Sequence, residues 1–244
     1  MQTVTQPDPT TLLDRLRITH PLIGFYDAPD PAAFAPVVEP KAGGSTCVFD
    51  FYKLWLKGTT LHLTADKFGC GGAWRQLFGI ETRTRDAFVK FLADDEGLKA
   101  SHGLMEQWLD HGKTYKAIHA HLFIGPLHAD RYEYLRSATF YVNPDQLSAL
   151  ATGAQYHSAP DDPPPVIARF GSGCMQMASI FDDLDVAQAA IGATDIAMRD
   201  RLAPELIAFT VTRPMFARLC SLDERSFLFK PFLERLQKAR AKES

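Results

Sequence analysis

Cys47, Cys70 and Cys174 are the residues of this chain whose type and setting point most directly to chemistry. Two of them lie in glycine-rich turns, Phe68-Gly-Cys-Gly-Gly72 and Phe170-Gly-Ser-Gly-Cys174. Each turn stands where an apolar, β-branched run gives way to a helical pattern. Unsatisfied amide N–H groups and the positive end of the helix dipole gather at such a junction. That environment favours the thiolate, the form that attacks electrophiles and binds metals. Cys47 stands near the start of a helical stretch of its own. Three thiolates from separated segments would hold an iron–sulfur cluster or another soft metal, provided the fold brings them together. The spacing matches no C-x-x-C, zinc-ribbon or ferredoxin pattern. Taken singly, a cysteine is more often a small buried hydrophobe, and Cys220, on an amphipathic stretch, is read that way.

The same turns support a second chemistry. Backbone amides in a glycine-rich strand-to-helix turn bind anionic groups without any side chain. Gly69, Gly71, Gly72, Gly171 and Gly173 would then cradle a ligand, with Phe68, Trp74 and Phe170 lining the pocket. Neither turn carries the dinucleotide-binding or P-loop pattern. A tight connection between strand and helix is the commoner reason for glycine.

His119-Ala-His121 would point to one face if it lay on a strand and would offer two metal ligands. No carboxylate at a suitable spacing completes such a site, so these are read as surface or loop histidines. Asp182, Asp183 and Asp185 are read as a solvated loop, and Asp195 with Arg199 as a structural pair four apart on a helix. No nucleophile elbow and no H-E-x-x-H occurs.

The elements that must position these residues follow from periodicity. A helix is predicted over Thr10 to Ile18, a strand over Pro21 to Tyr26, and a loop with four prolines over Asp27 to Gly44. Helix Thr46 to Leu56 leads to strand Thr59 to Thr64 and the first glycine turn. Helical blocks follow at 73–78, 85–92 and 98–110, the last read as part of a lid over the core. Strands are expected at 121–125 and 138–142. Asn143-Pro144 opens a helix to about Ala154, and strand Val166 to Phe170 precedes the second glycine turn and another helix. Leu206 to Thr212 reads as a strand, and 214–220 and 231–241 as helices. Helix, strand, glycine turn and helix recur at 46–78 and 144–181, the signature of an internal duplication. The whole is an α/β chain, a single domain over 1–244 with its core at about 10–235, a helical tail at 236–244, and a mixed sheet flanked by helices.

Of the 244 residues, 46% are hydrophobic, ample for a sizeable core, and the net charge is −3. That balance argues against nucleic acid as a partner. No segment reaches the roughly 18 consecutive apolar residues of a membrane span, and residues 1–11 lack the pattern of a signal peptide. Four cysteines are too few for a disulfide scaffold, so a cytoplasmic location is expected.

The chain resembles the family called domain of unknown function 169. The resemblance rests on Pro21-Leu-Ile-Gly-Phe-Tyr26, Cys47, the two glycine turns, Asn143-Pro-Asp-Gln146, Arg199 and the strand between Glu205 and Pro214. It runs in order over about residues 20–235. It implies an α/β protein with recurrent cysteines, onto which Cys47, Cys70 and Cys174 map. Relatives often carry a further cysteine near Asp195 to Arg199, where this chain has Ile196. That implies three protein thiolates and an open coordination position. The expectation is therefore a cofactor-binding protein of redox type, with an iron–sulfur or other soft-metal centre and a redox partner or small-molecule ligand. The alternative is a non-catalytic small-molecule or anion-binding module without cofactor. A metal-free thiol enzyme is a third option.

Overall fold

The computed structural model describes residues 6–43, 46–69, 78–80, 83–111, 115–169, 171–177, 181 and 183–242. Eight strands form one mixed sheet: β1 (Ile23–Ala28), β2 (Val37–Val38), β3 (Thr60–Leu63), β4 (His121–Pro126), β5 (Leu135–Val142), β6 (Val166–Ile167), β7 (Ala189–Gly192) and β8 (Ile207–Thr212). Their order is β2-β3-β4-β1-β5-β8-β7-β6, so the expected α/β architecture holds. Taken from either edge the order repeats. In each half the outermost pair is parallel and the other pairs antiparallel, with β1 and β5 antiparallel at the centre. In that order β2 corresponds to β6 and β3 to β7. Cys47 and Cys174 thus both follow the edge strand of their own half.

Alternation along the strands divides the buried apolar residues between two faces. On one face Tyr26, Phe123, Phe140, Phe209 and Val211 pack against α1 (Thr10–Leu16), α5 (Pro144–Gln155), α6 (Arg213–Cys220) and α7 (Pro231–Arg240). On the other, Ile23, Phe25, Leu61, Leu63, Ile124 and Tyr141 pack against short irregular pieces. These include the 3-10 turn Val48–Phe51, helix α2 (Tyr52–Trp55), Cys174 to Met177, and the 3-10 turn Ile196–Arg201. The helix expected over Thr46 to Leu56 is therefore a 3-10 turn running into one α-helical turn. The helix expected after Gly171 to Cys174 is a three-residue 3-10 turn, Met175–Met177. Helices α3 (Arg85–Lys90) and α4 (His102–His111), with the π-helical turn Phe91–Asp95, bury Val89, Ala93 and Met105 in a small cluster of their own.

Sequence dictates the start of α5 most clearly. Asn143 Oδ1 accepts from Gln146 N at 2.9 Å and Gln146 Oε1 accepts from Asn143 N at 3.0 Å, a complete capping box. Gln146 Nε2 also donates to the carbonyls of Leu16 and Arg17, tying the end of α1 to the start of α5. Asn143→Ala is expected to lower stability by about 1 kcal/mol in urea denaturation, as removal of an N-cap does.

Candidate functional site

At the C-terminal end of β1 the chain buries a carboxylate completely. Asp27 has no exposed surface and accepts four hydrogen bonds from one segment. They come from Tyr115 Oη at 2.5 Å, Ile118 N at 2.7 Å, His119 N at 2.9 Å and His119 Nδ1 at 2.8 Å. A carboxylate only accepts, so His119 carries a proton on Nδ1, and in the neutral imidazole Nε2 is the unprotonated nitrogen. The imidazole is 31% exposed, and among the described residues its Nε2 meets no hydrogen-bond partner.

Two further side chains complete the group. Burial, and then the bond to Asp27, hold the Tyr115 hydroxyl well above its ordinary range, so it stays protonated as a donor. Arg136, the second residue of β5, hydrogen-bonds to Tyr115. Its Nε is buried without an acceptor among the described residues. The order of donation is therefore Arg136 to Tyr115 to Asp27, with Asp27 also fixing His119. Tyr115 stands edge-on to Phe25, centroids 5.9 Å apart, which seats it against the sheet. Chemically, this is an imidazole of defined tautomer linked through Asp27 and Tyr115 to a half-buried guanidinium.

At the same end of the sheet, on the opposite face of β3 and β4, lies a second polar row. His62 Nδ1 lies 2.9 Å from Glu39 Oε1, and His62 Nε2 lies 3.0 Å from His121 Nδ1. His62 is stacked on Phe123, and Lys67 pairs with Glu39. The strand begins at His121, so the pair His119-Ala-His121 does not share a strand face. His119 turns to Asp27 and His121 to His62.

The residues singled out from the sequence occupy other places. Cys47 is half-buried directly before the 3-10 turn Val48–Phe51, and Cys174 is buried with Sγ 3.3 Å from Ser172 Oγ. Cys70, Gly71, Gly72, Trp74, Phe170 and Asp182 lie outside the described residues. Among the described residues no group of three or more His, Cys, Asp or Glu could hold a metal ion. The expected cysteine-ligated metal or iron–sulfur centre is corrected accordingly, and the redox role built on it falls with it. The physical reason is local: Cys174 sits among apolar side chains of the second core face, and neither Cys47 nor Cys174 heads an α-helix that would favour its thiolate. Cys220 is a half-buried thiol pushed up to about 12 by burial.

Gly69 has φ +76°, which favours glycine. At Gly173, a Cβ would stand 3.0–3.2 Å from Met198 and Phe49, so close packing explains the glycine there. Gly171 is buried in the same turn. Asp183 accepts from Asp185 N within a local turn. Asp195 caps Ala197 N, while Arg199 donates to the carbonyls of Leu206 and Pro204, so the expected pair between Asp195 and Arg199 is replaced by two separate anchors. No helix of the described residues is long and apolar enough to cross a membrane.

Fold and site together define an α/β protein whose described residues form one eight-stranded mixed sheet with carboxylate-anchored histidines at one end. The family model described as uncharacterised ArCR, domain of unknown function 169, matches residues 11–221, and the chain belongs to that family. Neither the curated proteins nor the solved structures give a match to it.

Proposed function

We propose that this protein is an enzyme of acid–base chemistry that moves a proton on a small anionic molecule, with His119 as the base. Asp27 orients His119, and Arg136 binds the anionic group through its half-buried guanidinium. What carries the proposal is the buried Asp27 carboxylate bonded to Nδ1 of a partly exposed imidazole. A neutral imidazole held in one tautomer by a carboxylate is suited to general-base work near neutral pH. In the proposed step Nε2 takes a proton from the substrate, and the imidazolium that forms is stabilised by Asp27. Tyr115, kept protonated, serves as a positioning residue between Arg136 and Asp27. Guanidinium groups suit carboxylate and phosphate partners because their forked donors match two oxygens.

The test is ligand-induced stabilisation, with malonate, pyruvate and inorganic phosphate as probes. At a probe concentration about a hundred times its Kd, binding adds about 2.7 kcal/mol. At least one probe is expected to raise the Tm of the wild-type protein, and Arg136→Gln to remove that rise. Absence of any shift, or an equal shift in Arg136→Gln, would overturn the assignment.

A further inference from the structure

A carboxylate, a buried imidazole and a second imidazole stand in series on the neighbouring strands. Glu39 follows β2, His62 lies in the middle of β3, and His121 opens β4. His62 is 6% exposed, and its ring lies parallel to Phe123 at 4.7 Å. The charged and titratable groups facing it are Glu39, Lys67 and His121, with Asp66 at longer range. Lys67 keeps the Glu39 carboxylate below its ordinary range, so Glu39 stays an acceptor.

Those constraints fix the direction of the row. Glu39 accepts the Nδ1–H of His62. His62 Nε2 is then an acceptor and takes the Nδ1–H of His121. That leaves His121 Nε2 as the open end, without a hydrogen-bond partner among the described residues. We infer that Glu39, His62 and His121 form a proton relay that makes His121 Nε2 a second proton-accepting group at the end of the sheet where β1 and β4 meet. Ala28, next to Asp27, is the β1 partner of His121, so the relay ends at the same end of the sheet as the Asp27–His119 pair but on the opposite face. The relay itself stands independently of that pair's role.

The proton balance is simple. A proton taken up at His121 Nε2 gives an imidazolium, whose Nδ1–H passes to His62 Nε2. His121 ends neutral with its proton on Nε2, and the positive charge rests on His62, whose Nδ1–H stays donated to the Glu39 carboxylate. Two imidazolium ions cannot share the 3.0 Å contact, because both facing nitrogens would then carry a hydrogen. The two rings must therefore take up protons as one unit, the second at much lower pH than the first.

Imidazole 15N NMR on the full chain tests this. At pH 8, His62 and His121 are both expected as Nδ1–H tautomers, and the two rings to titrate together in two separated steps. Glu39→Gln should weaken proton uptake at His121 by about threefold or more, a midpoint lower by about half a unit. His62→Asn should turn the titration of His121 into a single step. Because Glu39 is partly exposed, Glu39→Gln keeps the test open even if His62→Asn does not fold. A single-step titration of His121 in the wild-type protein, unmoved by Glu39→Gln, would overturn the relay.

Discussion

Asp27→Ala is expected to lower the unfolding free energy by about 3–5 kcal/mol, the range for breaking a buried charged hydrogen-bond network. The substitution strands four donors at once: the Tyr115 hydroxyl, the Ile118 and His119 amides, and the His119 ring N–H. Each buried donor without a partner costs about 1–3 kcal/mol, and some of these reach water once segment 115–119 lifts, since Ile118 is already 64% exposed. The network total therefore falls below four full penalties. Asp27→Asn should lose less, because its carbonyl still accepts while its amide nitrogen faces donors. Urea denaturation of the three proteins measures the order, and a loss under about 1 kcal/mol for Asp27→Ala would contradict the account of this segment.

Gly125→Ala should cost about 2–3 kcal/mol, at the upper end of overpacking effects. Gly125 pairs with Gly24 on β1, and the register of β3 and β4 sets Thr60 on its other side. A Cβ there would lie 2.4 Å from Thr60 Oγ1 and 2.8 Å from Thr60 Cα. The second contact is backbone, so no rotamer change relieves it, and β3 must move away from β4. Tyr26 resists the opposite movement. Its ring lies over Gly24, and its hydroxyl donates to Pro126 O and accepts from His128 N. Gly103→Ala is the control. Gly103 lies in helix α4 with open space around the new methyl, so that change should raise stability by about 0.5–1 kcal/mol. Equal effects at the two positions would contradict the β3–β4 packing.

Much of the architecture was legible because periodicity and caps act locally. Asn143-Pro144 announced α5 through its asparagine cap and the proline at the first helical position, and the apolar β-branched runs of β1, β3 and β5 named themselves as strands. Strand β7 did not, because Ala189-Ala-Ile-Gly192 has little β-propensity. Its small residues are there to let Gln176 approach: a Cβ on Gly192 would meet Gln176 Cβ at 3.0 Å. The glycine turns misled for a related reason. Glycine marks close approach of backbone, and at Gly173 the partner is Met198 and Phe49 of the chain itself.

The site was only half visible. His119 and His121 stood out as a pair two residues apart, but their partners did not. Asp27 lies 92 residues before His119, in a stretch whose prolines spoke for loop, and its carboxylate is buried by the end of a strand running through Ala28. Glu39 and His62 lie 23 residues apart, and His62 and His121 lie 59 apart. Only the β2-β3-β4 order brings those three together. One signal was available: an Asp directly after the apolar run Ile23 to Tyr26 is unusual in a buried strand, where a carboxylate needs several donors.

The measurement that goes most directly to the proposed chemistry is the tautomeric state of His119, read from its imidazole 15N shifts between pH 5 and 9 in the wild-type protein and in Asp27→Asn. The account predicts one tautomer in the neutral form, protonated on Nδ1 with Nε2 free, and loss of that preference in Asp27→Asn. A mixture of tautomers in the wild-type protein, unchanged by Asp27→Asn, would show that the carboxylate does not orient the imidazole, and His119 could not then be the base.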